Sequence, residues 1–313
     1  MNAVPRLTVG IPVYNGANYL AQSLDALLGQ SFTDFELIIS DNASTDETAD
    51  ICRSYAKLDP RVSYHRQERN IGLSPNHNFV VDQASGELFK WASHDDLYAR
   101  DLIKLCVEAL DKDPEVVLAH CWTAMIDGSG TVTSAFPYPL ATASARVAER
   151  FGSMLFDSGG DDDGGIMRTA VLRRLPKKDS YHHADRTTVA QMCLQGPFYH
   201  VPDWLYFRRD HPARAERACP SVRSRCANMD PRRANPWLHP AVRLYGEYVW
   251  AFVAAIRDAP MPGAERRDCY RRLMAWAASR AIPGRHRAQD PVPVDHPPFT
   301  IEGVVPGWEQ TRP

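Results

Sequence analysis

Two adjacent carboxylates, Asp95 and Asp96, follow Ser93-His94 at the end of an apolar run, Leu88-Phe89-Lys90-Trp91-Ala92. The run reads as a buried strand, and a helix-like pattern begins at Asp101. Carboxylates at the tip of a buried strand are costly unless a cation meets them. A divalent metal ion holding a diphosphate is one such cation, since hard ions take oxygen ligands and commonly share them with phosphates. Three other clusters carry comparable chemistry. Asp41-Asn42-Ala43-Ser44-Thr45-Asp46-Glu47 closes a second strand-like run, His183-Ala184-Asp185-Arg186 opens a helix pattern, and Arg208-Arg209-Asp210-His211-Pro212 ends a later strand.

The elements that must position these clusters alternate in type. Residues 7–13 read as a buried strand ended by Pro12, and Asn15-Gly16 is a turn signal. Leu20, Leu24, Leu27 and Leu28 then recur at helical spacing. Residues 35–40 form the second strand. Ser44 and Glu47 fit a capping box for the helix after it. Residues 62–65 give a third strand, and Ser74-Pro75 looks like a cap followed by proline at the first helical position. This order predicts a mostly parallel sheet covered on both faces, with ligands beyond the carboxyl ends of its strands. Residues 12–15, 41–44 and 94–96 should therefore share one rim.

The second half is less regular. A helix after Asp101 stops near Asp113-Pro114, a strand covers 116–120, and 125–132 resembles a hairpin around Asp127-Gly128-Ser129-Gly130. Residues 136–145 read as loop, 157–165 as a polar flexible stretch, and 184–194 as a helix. Two closing strands are expected at 198–201 and 204–209. Residues 213–236, rich in Arg, Pro and Cys, read as a long loop. Helices are expected at 241–259 and 263–281, and a Pro-rich tail without regular structure from Pro283. The organisation predicted is 1–100, 101–212 and a C-terminal extension, 213–313.

Composition narrows the class. Lys+Arg 36 against Asp+Glu 38 leaves a near-neutral chain, so global charge argues for neither nucleic acid nor an anionic membrane as partner. Seven scattered cysteines without a CxxC pair indicate neither a zinc site nor a disulfide framework. They fit a reducing, cytoplasmic setting, which includes the inner face of a membrane. No signal peptide is expected, because a strand pattern starts almost at once. No apolar run approaches the roughly 18 residues of a membrane span. No GxGxxG follows the first strand, which argues against a dinucleotide-binding oxidoreductase.

Thr8-Val9-Gly10-Ile11-Pro12-Val13-Tyr14-Asn15, with Leu37-Ile38-Ile39-Ser40-Asp41-Asn42-Ala43-Ser44-Thr45-Asp46, resembles the family 2 glycosyltransferases. Arg69-Asn70-Ile71-Gly72-Leu73-Ser74 and Ser93-His94-Asp95-Asp96 stand where that family has its next two motifs, and the resemblance spans residues 5 to 211. It implies a GT-A fold, a Rossmann-like sheet flanked by helices. It also implies inverting transfer of a sugar from a nucleoside-diphosphate donor, with UDP or dTDP favoured over GDP, assisted by Mg²⁺ or Mn²⁺. The acceptor would be a glycan, a lipid-linked molecule or a small molecule. The family's acidic motif is usually Asp-x-Asp, and here Ser93 stands in place of the first carboxylate. Neither a Gln-x-x-Arg-Trp motif nor spanning helices appear, so addition of one sugar is expected rather than polymerisation.

The resemblance assigns roles residue by residue. Asp95 and His211 become metal ligands, with Asp96 and His94 beside them. Asp41 accepts a hydrogen bond from the base, in a pocket shaped by Pro12, Tyr14, Asn15, Asn42 and Ser44. Arg69, Gly72 and Arg209 complete the donor site. Asp185 is the general base that inverting displacement needs on the acceptor hydroxyl. Asp161, Asp162 and Asp163 compete with it. Duller readings stand beside these: Asp41 and Asp185 as helix-capping carboxylates, Arg69 and 208–212 as solvated surface. Two other functions stand beside this one: a non-catalytic relative that binds nucleotide or glycan, and a sugar nucleotidyltransferase. The latter usually needs a basic Gly-rich loop, and Pro12-Val13-Tyr14-Asn15-Gly16-Ala17-Asn18 has no Lys or Arg. Trp237, Leu244, Tyr248, Trp250, Phe252 and Trp276 among arginines fit two packing helices, or else an acceptor, dimer or membrane-surface face.

Overall fold

Alternating β-branched and leucine-rich runs with amphipathic helices produce the expected βα order in the first hundred residues. The computed structural model describes residues 4–157, 164–181, 183–281 and 301–307. Strands β1 (Leu7–Val13), β2 (Phe35–Asp41), β3 (Val62–Arg66) and β4 (Leu88–Trp91) lie parallel in the order β3-β2-β1-β4. Helices α1 (Leu20–Leu28), α2 (Thr48–Leu58) and α3 (Leu73–Gln83) connect them. β1 is buried along its whole length, as a strand covered on both faces must be. Gly10 lets α3 approach β1: a Cβ there would stand 2.8 Å from Val80.

The second half extends the same sheet. After the two-residue β5 (Leu97–Tyr98) come α4 (Leu102–Lys112), β6 (Leu118–Ile126), β7 (Val132–Phe136), α5 (Val147–Phe156), β8 (Ile166–Arg168) and the short α6 (Thr169–Leu172). α7 (Ala184–Gln195) and β9 (Phe198–Arg209) follow. β8 is antiparallel to both β4 and β6, β9 runs parallel to β6, and β5 adds antiparallel to β9. The expected hairpin is present as β6–β7, with the Asp127 carboxylate accepting from Ser129 and Thr131 backbone N–H groups.

Several expectations are corrected. Ser44 does not cap α2: Glu47 holds the N-cap position without a side-chain bond, and the Asp46 carboxylate takes the Thr48 N–H instead. Ser74-Pro75 lies inside the first turn of α3, whose N-cap is Gly72. The two closing strands are one, β9, whose ladder slips register opposite Cys121 to Thr123 and so accommodates Pro202. The stretch 213–236 is not a plain loop. It holds α8 (Ala215–Ala218), α9 (Val222–Met229) with a Ser221–Ser224 capping box, and a 3-10 turn over Pro231–Ala234.

α10 (Ala241–Asp258) and α11 (Gly263–Ala281) fall where helices were expected. Leu244, Tyr248, Phe252 and Ile256 recur every fourth residue and turn into the core, where Phe252 meets Phe151 and Trp276 edge-on. Of the tail, 301–307 is described: Ile301 and Val305 are buried in the core, and Arg100 donates its N–H to the Val304 carbonyl. The rest of the tail, and Asp161, Asp162 and Asp163, lie outside the described residues. Among the described residues no helix is long and apolar enough to cross a membrane.

Candidate active site

Parallel pairing places Val13 beside Asp41, and Gly10 beside Trp91, so the loops leaving β1, β2 and β4 meet at one rim. They are knitted together by hydrogen bonds. Asn15, at φ 51°, donates its N–H to Ser44 Oγ (2.9 Å) and accepts the Thr45 N–H on Oδ1 (2.8 Å). Asn42 donates its N–H to the Val13 carbonyl (2.8 Å). Its side chain takes the Ile71 N–H and donates to Asn70 Oδ1 and the Gly72 carbonyl, which shapes the loop before α3. Gly72 sits at φ 94°, and a Cβ there would stand 2.5 Å from the Met229 carbonyl, so only glycine lets α9 close on this loop.

A cavity of ≈ 360 Å³ opens on this rim. Of the residues the sequence singled out, Pro12, Tyr14, Asn15, His94, Asp95, Asp96, Asp185 and His211 line it. Asp41, Asn42, Ser44, Arg69, Gly72 and Arg209 do not. Arg69 is exposed on the loop before α3. Asp41 is fully buried at the end of β2. Its Oδ1 accepts the Ser44 N–H, and its Oδ2 accepts from the Tyr64 hydroxyl (2.8 Å) and Arg66 Nη1 (2.7 Å).

The two acidic neighbours point to different partners. Asp95 Oδ2 lies 2.9 Å from His211 Nε2, and its other oxygen accepts from the Ser93 hydroxyl. Burial alone would raise the Asp95 pKa. The bonds from His211 and Ser93 and the nearby charges of His94 and Arg214 outweigh it and hold the carboxyl well below its ordinary range. Asp96 is wholly buried and turns to β9. It accepts the Arg209 N–H (2.8 Å) and the Tyr206 hydroxyl, and faces Arg214 Nη1 at 3.3 Å. Burial and the Asp95 charge push Asp96 upward against these donors.

Arg209 stands behind the cavity as a brace. Nε donates to the Asp95 carbonyl, Nη1 to the Gly128 carbonyl and Nη2 to Gln22 Oε1, and the guanidinium lies 4.3 Å over the Tyr19 ring. Strand alternation sends its neighbour Arg208 to the other face, and Arg208 lines the cavity. Arg214, His77, Cys219 and Asn228 also line it and were not singled out. The alternation of β9 would have found Arg208; nothing local marks Arg214, which meets Asp96 across 118 positions. Asp185 is the second residue of α7. His183, in the left-handed region at φ 56°, holds the N-cap position, so Asp185 is not the cap.

Among the described residues no three His, Cys, Asp or Glu side chains gather as a metal cluster. Asp95 and His211 line the cavity with Oδ2 and Nε2 facing each other at 2.9 Å, and with an ion between them they would supply one oxygen and one nitrogen ligand. That pair suits a divalent ion whose remaining positions are filled by phosphate oxygens and water.

Residues 8–160 match the family model described as Glycosyl transferase family 2. Over that segment the chain is similar to this family, and its sheet has the GT-A arrangement. An uncharacterized glycosyltransferase of Rickettsia typhi is 36% identical over 124 residues, 39% of this chain and 38% of that protein. The chondroitin synthase of Escherichia coli is 28% identical over 156 residues, 48% of this chain and 23% of its own length. The chain thus spans under two fifths of the curated relatives it matches. Among solved structures, Staphylococcus aureus TarS 1–349 in complex with UDP-GlcNAc superposes with TM-score 0.54 at 17% identity, covering 88% of this chain and 91% of that one. The Pyrobaculum calidifontis mannosyltransferase PcManGT in complex with GDP-Man and Mn²⁺ gives 0.50 at 19%, covering 90% and 88%.

Proposed function

We propose that this protein transfers one sugar from a nucleoside-diphosphate sugar to an acceptor hydroxyl, with inversion at the anomeric carbon. The observation that carries the reading is the convergence of Asp95, His211 and Asp185 on one cavity beneath the loops of β1 and β4. Asp95 and His211 would hold Mg²⁺ or Mn²⁺, which when bound neutralises charge on the departing diphosphate as a Lewis acid. Asp96, Tyr206 and Arg209 keep Asp95 in place. Arg208 and Arg214 add positive charge to the same wall.

In the transfer itself, the acceptor oxygen attacks the anomeric carbon. The bond from that carbon to the diphosphate oxygen breaks, the electron pair leaves with the nucleoside diphosphate, and the acceptor proton passes to the Asp185 carboxylate. At the base end, Asp41 is buried behind the cavity with its oxygens held by the Ser44 N–H, the Tyr64 hydroxyl and Arg66, so its part is to fix the loop that would meet the base. The preference for UDP or dTDP donors rests on the resemblance of this loop to the family motif. The relatives and neighbours, named as glycosyltransferases or bound to UDP-GlcNAc and GDP-Man, support the donor class.

The decisive experiment pairs two variants, read by thermal shift with UDP-, dTDP- and GDP-sugars with and without Mn²⁺, and by transfer. A ligand held by the native state raises its melting temperature. Asp185→Asn should keep the donor shift and lose transfer by at least ~100-fold. Asp95→Ala should lose the metal-dependent part of the shift. Unchanged transfer in Asp185→Asn would remove it as the base. Donor binding without transfer in the wild type, across glycan, lipid-linked and small acceptors, would leave a binding protein.

A further inference from the structure

We infer that the exposed face formed by Trp237, Leu238, Val242 and Trp250 docks on an anionic lipid surface. α10 turns one apolar stripe into the core, through Leu244, Tyr248, Phe252 and Ile256. Other large apolar side chains, on α10 and on the turn before it, remain outside: Trp237 is 91% exposed, Leu238 61%, Val242 77% and Trp250 62%. A globular chain rarely leaves such a group of large apolar side chains in water without a partner.

Charge says what that partner is. The chain is near neutral overall, but the balance is split. Residues 1–212 hold 20 Lys and Arg against 28 Asp and Glu, whereas residues 213–281 hold 13 arginines, no lysine and six acidic residues. The arginines also frame the aromatic turn. Arg243 Nη1 donates to the Leu238 carbonyl (2.7 Å), Arg223 Nη1 to the His239 carbonyl (3.4 Å), and Arg233 Nη1 contacts the His239 ring (3.2 Å). Arg232, on the preceding turn, is largely exposed and pairs with Asp230 (2.6 Å), while Arg233 and Arg243 share the single carboxylate of Glu247 (2.7 and 2.8 Å). Tryptophan at the headgroup level with arginines toward phosphate is the chemistry of an interfacial anchor. A second copy seated symmetrically on this face would set arginines against arginines, which costs affinity. A neutral apolar partner would leave the arginine excess unused. The face is also close in sequence to the cavity: Asn228 of α9 lines the cavity, and Trp237 follows nine residues later.

Co-sedimentation of the full chain with vesicles of phosphatidylcholine alone, and of phosphatidylcholine mixed with phosphatidylglycerol, tests this. Expected is a preference of at least ~10-fold for the anionic vesicles that fades at high salt. Trp237→Ser with Leu238→Ser should abolish it while leaving the melting temperature unchanged, because both side chains are outside the core. Arg232→Glu should weaken it. Equal or absent sedimentation with both vesicle types overturns the inference. So does a dimer in analytical ultracentrifugation that the Trp237/Leu238 variant dissociates, since the face would then belong to a second copy.

Discussion

Where the β6–β9 ladder reaches Ile126 and Arg209, it ends in buried charge; where it passes His120 and His200, it encloses two imidazoles. At the first end, each polar atom of the Arg209 guanidinium has a fixed acceptor, and Asp96 is met by Tyr206, Arg214 and the Arg209 N–H. At the second, the His120 and His200 rings lie 4.5 Å apart, and Tyr138 stands edge-on to both at 4.1 and 4.0 Å. Here burial pushes both histidines down, His200 to about 4 and His120 well below its ordinary value, helped by its neighbour. One ladder thus buries ionisable groups in two ways. It satisfies charge where the site needs a carboxylate oriented, and suppresses it where only packing is required.

The strongest way to break this contrast is Arg209→Met. The methionine fills much of the space but leaves the Asp95 and Gly128 carbonyls and the Gln22 amide oxygen without their donor. A loss of about 3 kcal/mol or more in urea unfolding is expected, since unsatisfied buried groups cost roughly 1–3 kcal/mol each. Metal-dependent donor binding should fall with it, because the Asp95 backbone loses its brace. A loss under about 1 kcal/mol would mean that water takes over the guanidinium's bonds and that the charged end is not specially built.

The difference between the ends also explains what was legible in the sequence. The rim loops could be read because each follows a strand whose apolar run is local, as at Val13, Asp41 and Trp91. α10 and α11 could be read because their periodicity is their own. β5 and β8 could not: two and three residues become strands only because β9, β4 and β6 offer them an edge. α5 carries an amphipathic pattern from Val147 in a stretch without strong start signals, and α9 lies in a stretch whose prolines suggest loop. At the site, Asp95, His211 and Asp185 line one cavity as their motifs suggested. Arg209, expected at the donor, faces away from the cavity, since residues alternate along β9. Arg214 could be placed only by the fold, because its partner Asp96 is distant in sequence.

The histidine end makes a sharper test through pH. Both imidazoles are neutral when folded and take up protons when unfolded, near an ordinary value of 6.5. Their depressed folded values therefore leave stability intact above pH 6.5 and erode it as pH falls toward 4. Between pH 7 and pH 5, roughly 2 kcal/mol should be lost for each of the two. His200→Gln should remove about half of that slope while keeping a donor for Thr142, whose Oγ1 lies 2.8 Å from His200 Nε2. Carboxylates titrate mainly below this window, so a slope unchanged by His200→Gln would assign the acid sensitivity elsewhere.

The smallest expected effect separates ring packing from hydrogen bonding at the same end. The Tyr138 hydroxyl accepts from Thr142 Oγ1 at 3.2 Å, while its ring covers both imidazoles. Tyr138→Phe keeps the cover and removes one long hydrogen bond. Stability at pH 7 should fall by only about 0.5–1 kcal/mol, and the loss on acidification should be unchanged. Tyr138→Ala admits water to the rings, raises their folded pKa toward the ordinary value and so flattens the slope, at a larger cost at pH 7 from the space it empties. If Tyr138→Phe alone flattened the slope, the hydroxyl network rather than exclusion of water would set the histidines' neutrality. The two ends of the ladder would then both be governed by hydrogen bonds.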